Sequence, residues 1–390
     1  MHGDGVRAGT RLAAAALAAA LIGLPACSDG PSQPSEATLA RGRDVFRNNT
    51  FGDERFWTDT LHMNQVIETA VDPVTALSVG LKVDADALPP GVLAGADLHS
   101  PATTVALLKL NAVVGVRAEV DANNHITRLG VTCALCHSTV DNSVAPGIGR
   151  RLDGWPNRDL DPGKILSLSP ALRDPAVQAV LLSWGPGKYD ARWNLDGRNG
   201  PVVIPPAYGL GGVALETYTG EGPISYWNRY VAVTQMHGQG SFSDPRLGIN
   251  IHNDPDLVDP VLAVLRDYQH GLQAPAPPAG SFDAAAGARG KRVFAGKGRC
   301  SSCHSGPDFT DAGARLHAPA ETGMDPVWAE RGTTGRYRTS PLRGVWQHPP
   351  YFHDGSARTL ADVVSHYDTV LGLKLSAQEK ADLVEYLKSL

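Results

Sequence analysis

Four of the five cysteines fall into two Cys-x-x-Cys-His motifs, Cys133-Ala134-Leu135-Cys136-His137 and Cys300-Ser301-Ser302-Cys303-His304. Two thiols three positions apart can reach the two vinyl groups of one porphyrin, and the histidine beside the second thiol offers an imidazole to the iron from one face. The motifs therefore predict two covalently attached haem c groups, with His137 and His304 as proximal ligands. A thioredoxin-like redox pair does not require the following histidine, and a zinc site would need further cysteine ligands that this sequence lacks. The fifth cysteine, Cys27, closes an apolar run near the N-terminus, so no pair remains for a structural disulfide.

That run extends from Leu12 to Leu24 behind Arg7 and Arg11. It is shorter than the roughly 18 to 20 residues that cross a bilayer and reads as a secretion signal. Small residues ahead of Cys27 resemble a lipoprotein signal, which predicts a signal peptide over 1–26, a lipidated Cys27 and a Ser- and Pro-rich tether over 27–35. The expected location is the periplasm, with the membrane reached only through the lipid. A hydrophobic fraction of 42%, 19% charged residues and a net charge of -5 fit a protein with buried cores. No basic stripe is present, which argues against a nucleic-acid partner.

The elements that must position the motifs divide at a Pro-rich stretch. The sequence predicts a mainly α protein with two cytochrome c-like haem domains, over 36–272 and 282–390, joined by a linker over 273–281. A helix begun by Asp259 and Pro260 and stopped at Gly271 closes the first domain. An internal repeat supports the division: Ala40-Arg41-Gly42-Arg43-Asp44-Val45-Phe46 and Ala288-Arg289-Gly290-Lys291-Arg292-Val293-Phe294 agree at five of seven positions. Cys300 follows Phe294 closely, whereas a long insertion separates Phe46 from Cys133. Within it, Ser100-Pro101 starts a helix, and residues up to Val120 and from His125 to Val131 alternate as a small β-hairpin that runs into Cys133. In the second domain Thr359-Leu360-Ala361-Asp362 and Ser376-Ala377-Gln378-Glu379 fit capping boxes. The first and last helices of that domain are expected to cross near Gly290 and Phe294.

The stretch Arg336-Tyr337-Arg338-Thr339-Ser340-Pro341-Leu342-Arg343-Gly344, followed by Pro350-Tyr351-Phe352-His353-Asp354-Gly355-Ser356, resembles the C-terminal signature of bacterial di-haem cytochrome c peroxidases and MauG-like proteins. Rubber oxygenases belong to the same broad group. The resemblance implies that the haem on His304 relays electrons and that any chemistry belongs to the haem on His137. It implies a distal ligand at or next to Tyr337 and a calcium ion between the domains, which the sequence itself does not reveal.

Sixth ligands stay open. Met324 lies on a loop after His304, where a thioether could meet the iron, or it fills a gap in the packing. His353 could ligate, or fix a tight turn with Asp354 and Gly355. For the first haem, Met236 and His237 lie in a glycine-rich stretch, and His62 and Met63 follow a patch of aromatics and acids. Trp184, Trp193, Trp227 and Trp346 either assist electron transfer or pack a core. The leading functional expectation is periplasmic electron transfer with small redox proteins or quinol-linked donors. The alternative is a peroxidase or MauG- or oxygenase-like enzyme, with Asp53, Glu54 and His237 as candidate acids and bases and no catalytic residue assigned.

Overall fold

Helix α1 (Glu36–Asn48) begins where the Ser35 hydroxyl accepts the Thr38 N–H, and it buries Gly42, Val45 and Phe46. The insertion follows. Ser100 precedes α2 (Pro101–Lys109), whose first-turn proline has no N–H to lose. Strands β1 (Val116–Val120) and β2 (Ile126–Val131) then pair as an antiparallel hairpin that ends just before Cys133. Further on come α3 (Ile224–Thr234), α4 (Leu262–Gly271), α5 (Ala284–Ala295), α6 (Leu360–Val370) and α7 (Ala377–Lys388). The protein is mainly helical with small sheets, and among the described residues every sheet has two strands. The computed structural model describes residues 1–3, 5 and 33–390. Most of the expected signal peptide, Cys27 and the start of the tether lie outside the described residues.

The seven-residue repeat marks two equivalent helix crossings. A Cβ on Gly42 would sit 2.1 Å from the Val264 carbonyl oxygen of α4, and one on Gly290 would sit 2.0 Å from the Asp382 carbonyl oxygen of α7. Only glycine lets the backbones approach so closely. One turn later each crossing is sealed by an aromatic pair: Phe46 meets Tyr268 at 5.6 Å, and Phe294 meets Tyr386 at 5.2 Å. The start of α4 differs from the expected one. Asp259 opens a 3-10 turn, and the carboxylate of Asp256 accepts the N–H groups of Val258 and Asp259. The Thr359 and Ser376 capping boxes form at α6 and α7.

Residues Ser35–Leu390 make one compact unit with two hydrophobic cores. The smaller core, around Phe294, Leu383 and Tyr386, comes wholly from the C-terminal part. The larger takes Trp328, Ala329 and Tyr337 from beyond the linker, so the two halves of the sequence interlock. Arg331 fastens them: its buried guanidinium donates to Asp190 at 2.8 and 3.0 Å and to Asp196 at 2.7 and 3.0 Å. It also reaches the carbonyls of Arg198 and Gly200. Arg331 and Arg192 stand 5.2 and 5.0 Å from the ring of Trp328. Among the described residues, no helix is long and apolar enough to cross a membrane.

Candidate haem sites

Each motif folds as about one helical turn. The His137 N–H donates to the Cys133 carbonyl, and the His304 N–H to the Cys300 carbonyl. This turn places the two cysteines and the histidine on one side of the chain. In both histidines Nδ1 lies 3.0 Å from a backbone carbonyl, that of Pro205 for His137 and of Phe309 for His304. A carbonyl only accepts, so Nδ1 carries the proton and Nε2 keeps its lone pair, the tautomer an axial ligand needs. Burial lowers the pKa of His137 to about 4 and lowers that of His304, so both rings are neutral near pH 7. Burial also raises the thiols of Cys133 and Cys136 to about 12 and that of Cys300 to about 11. Sγ of Cys303, the second cysteine of its Cys-x-x-Cys-His motif, comes within 4.8 Å of ligand atoms of Asp311 and His317.

Beside His304 opens a cavity of about 400 Å³ that is also lined by Met324, Tyr337 and His353. The structure therefore brings together all three distal candidates read for this site. Tyr337 is held by an antiparallel bridge to His317. Its hydroxyl donates to the Asp325 carbonyl at 2.7 Å and accepts the Ala329 N–H. Burial raises the Tyr337 hydroxyl well above its ordinary value. The turn at Asp354-Gly355 does form, but Asp354 supplies its side-chain bonds, to Ser356. The His353 ring instead turns inward and is buried.

At the first site Tyr189 neighbours the thiol of Cys136, and its hydroxyl is raised by burial first and by Cys136 second. Tyr189 donates to Gln235 at 3.0 Å, so Gln235 is the residue of the glycine-rich stretch that is tied to this site. Met236 packs in the larger core, and His237 is exposed and stacks on Phe56 at 3.8 Å. Met63 lines an apolar cavity of about 390 Å³ with Trp57, Leu129 and Leu135, the last of them inside the first motif, while His62 is exposed. Asp53 is fully buried and accepts the Val131 N–H at 3.2 and 3.3 Å, two residues before Cys133. Burial pushes its pKa to about 9, so it is a neutral acid at pH 7. Glu54 is bonded to Thr50.

Of the tryptophans named from the sequence, Trp184 packs edge-on to Trp193, and Trp227 stacks on Tyr230. Trp346 meets Trp155 at 6.1 Å, edge to face. Sequence reasoning passed over Trp155, which follows a direct bond from the Gly154 N–H to the His137 carbonyl. It also passed over Arg158, and it met Arg338 only as part of the C-terminal signature; both line the cavity of His304. The only available signal was two arginines next to apolar or aromatic stretches.

The residues present fit haem. Nδ1 of each histidine is anchored, the thiols flank it, and the His304 cavity has buried donors without a protein partner: Nε and Nη1 of Arg158 and Nε of Arg338. A haem carries two carboxylates on its edge, the acceptors such donors require.

No family model matches the chain. The chain is similar to the methylamine utilization protein MauG of Methylorubrum extorquens, with 31% identity over 118 residues that cover 26% of this chain and 33% of MauG. It is similar to the cytochrome-c peroxidase IdrP1 of Denitromonas iodatirespirans, 29% identical over 147 residues, covering 26% of this chain and 39% of the relative. It is also similar to the hydrazine synthase subunit gamma of Kuenenia stuttgartiensis, 31% identical over 183 residues, covering 45% and 46%. The chain thus spans less than half the length of these curated relatives. These partial matches support a likeness to MauG-like proteins of the di-haem cytochrome c peroxidase superfamily.

Proposed function

We propose, on the premise of that MauG-like di-haem superfamily, that this chain is a di-haem c-type cytochrome working in periplasmic electron transfer. One haem c is attached at Cys133 and Cys136 with His137 as ligand, and the other at Cys300 and Cys303 with His304. The observation that carries this reading is the matched state of the two histidines, each half-buried, neutral and bonded through Nδ1 to a carbonyl. Bound haem supplies one-electron redox chemistry. The protein's part is to orient the imidazoles, exclude water and bring the sites together through Trp155 and Trp346. The partners are small redox proteins or quinol-linked donors, and a lipid on Cys27 holds the protein to a membrane.

A second reading is an enzyme of the peroxidase or MauG or oxygenase type, with chemistry at His137 and electron relay at His304. Asp53 favours it, because a neutral carboxyl beside Cys133 can give and take a proton there. The test is electron paramagnetic resonance of the oxidised and half-reduced holoprotein, before and after peroxide. Two six-coordinate low-spin signals that ignore peroxide support electron transfer. A five-coordinate signal that peroxide consumes supports the enzyme, and a protein free of haem sinks both readings.

A further inference from the structure

The cavity beside His304 is unbalanced in charge. It is lined by Arg158, Arg299, Arg315, Arg338 and Arg343, against Glu321 as its single carboxylate, in a chain whose net charge is -5. Glu321 is already engaged by Arg315. Arg343 reaches out to Asp308 at 3.7 Å. Arg299 is exposed. The remaining two are half-buried and held by carbonyls: Arg158 donates from Nη2 to His348 at 2.9 Å, and Arg338 from Nη1 to Leu215 at 2.9 Å. Nε and Nη1 of Arg158 and Nε of Arg338 are buried with no partner. A buried cation with unmet donors is costly unless an anion meets it.

Arg158 also has an unusual attachment. The preceding residue, Asn157, donates its backbone N–H to the Cys136 carbonyl at 2.8 Å, inside the first haem motif. The loop that closes the first site thus delivers a guanidinium to the second.

We propose that Arg158 and Arg338 clamp the carboxylates of the haem held at His304, and that Arg158 couples this haem electrostatically to the one at His137. The inference rests on the di-haem reading above. A fixed positive charge beside a haem carboxylate favours the reduced iron, because it opposes the extra positive charge of the oxidised state. Arginine suits the role because its guanidinium stays charged when buried.

The experiment is a spectroelectrochemical titration of the full-length holoprotein and of Arg158→Gln, Arg158→Lys and Arg338→Gln, with haem per chain counted first as the pyridine haemochrome. Two haems per wild-type chain uphold the underlying reading, and none overturns both it and the clamp. In Arg158→Gln the reduction equilibrium constant of the His304 haem falls at least tenfold, about 59 mV for a one-electron couple. That of the His137 haem shifts in the same direction by less, and Arg158→Lys recovers most of the change. Loss of the His304 haem from a folded Arg158→Gln, with Arg158→Lys fully loaded, equally supports the clamp. Arg338→Gln lowers the His304 haem alone, and it keeps the clamp testable should Arg158→Gln not fold. Fully loaded glutamine variants whose constants stay within twofold of wild type overturn the inference.

Discussion

The hydroxyl of Tyr337 lies 3.0 Å from Nε2 of His353, and the two rings stack with centroids 4.5 Å apart. Two potential axial ligands therefore face one cavity in mutual contact, with His304 on its wall. A phenolate ligand holds ferric iron and gives a low potential. Replacing Tyr337 by phenylalanine is expected to raise the midpoint potential of the His304 haem and to change its oxidised resonance signal. Met324→Leu should leave both unchanged. If Met324→Leu shifts them and Tyr337→Phe does not, the thioether is the ligand. Resonance Raman of the three proteins decides between them.

Asp53 sets a pH dependence with a definite sign. Its folded pKa of about 9 stands far above the ordinary 3.8, because burial disfavours the charged form. Between those values the unfolded chain ionises this group and the folded chain does not. Its contribution to stability is fully present below about pH 4 and is lost as pH rises toward 9. Asp53→Asn keeps an acceptor for the Val131 N–H and removes the titration. Thermal unfolding between pH 5 and 9 should show the variant gaining on wild type as pH rises. Parallel melting curves across that range would refute the assignment.

Much of the fold could be read from local sequence because the signals were local. The Thr359 and Ser376 capping boxes need only four residues, and the hairpin before Cys133 needs only alternation and a turn. The repeat around Gly42 and Gly290 carried more than its length suggested, since each glycine touches a helix far along the chain. The candidate haem motifs around His137 and His304 were legible through the cysteine spacing. What escaped depends on contacts distant in sequence. Nothing near Arg158 says that its guanidinium enters the cavity of a histidine beyond residue 300, and nothing near His353 says that its ring leaves the turn to meet Tyr337. The start of α4 was misplaced by two residues because Asp259 and Pro260 open a 3-10 turn, bonded to Asp256, before the α-helix begins at Leu262.

The helix crossings give a paired prediction on α5. A Cβ on Gly290 would overlap the Asp382 carbonyl at 2.0 Å, whereas one on Gly287 would make ordinary contact at 3.5 Å. Gly290→Ala is expected to destabilise the protein by about 1 to 3 kcal/mol through overpacking. Gly287→Ala should be stabilising by up to about 1 kcal/mol, because alanine is the better helix former. Urea unfolding of both variants checks the contrast, and equal midpoints would mean that the crossing is looser than it looks.

Arg331 offers the sharpest test of how the two halves are joined. Its side chain and that of Asp190 are both 0% exposed, and six oxygens from Asp190, Asp196, Arg198 and Gly200 surround its guanidinium. Removing one partner from such a site leaves the buried Asp190 carboxylate uncompensated, which costs about 3 to 5 kcal/mol. Arg331→Ala should therefore lose about 3 to 5 kcal/mol of stability, with chemical denaturation as the measure. Arg331→Lys keeps the charge but cannot reproduce the planar fork that serves both aspartates, so it should fall between alanine and wild type. Oxygen donors in this number also suit a calcium ion. If added calcium restores Arg331→Ala but leaves wild type unchanged, the guanidinium occupies a site that a divalent cation can otherwise fill. If calcium restores neither stability nor cooperativity, the cage is specific to arginine.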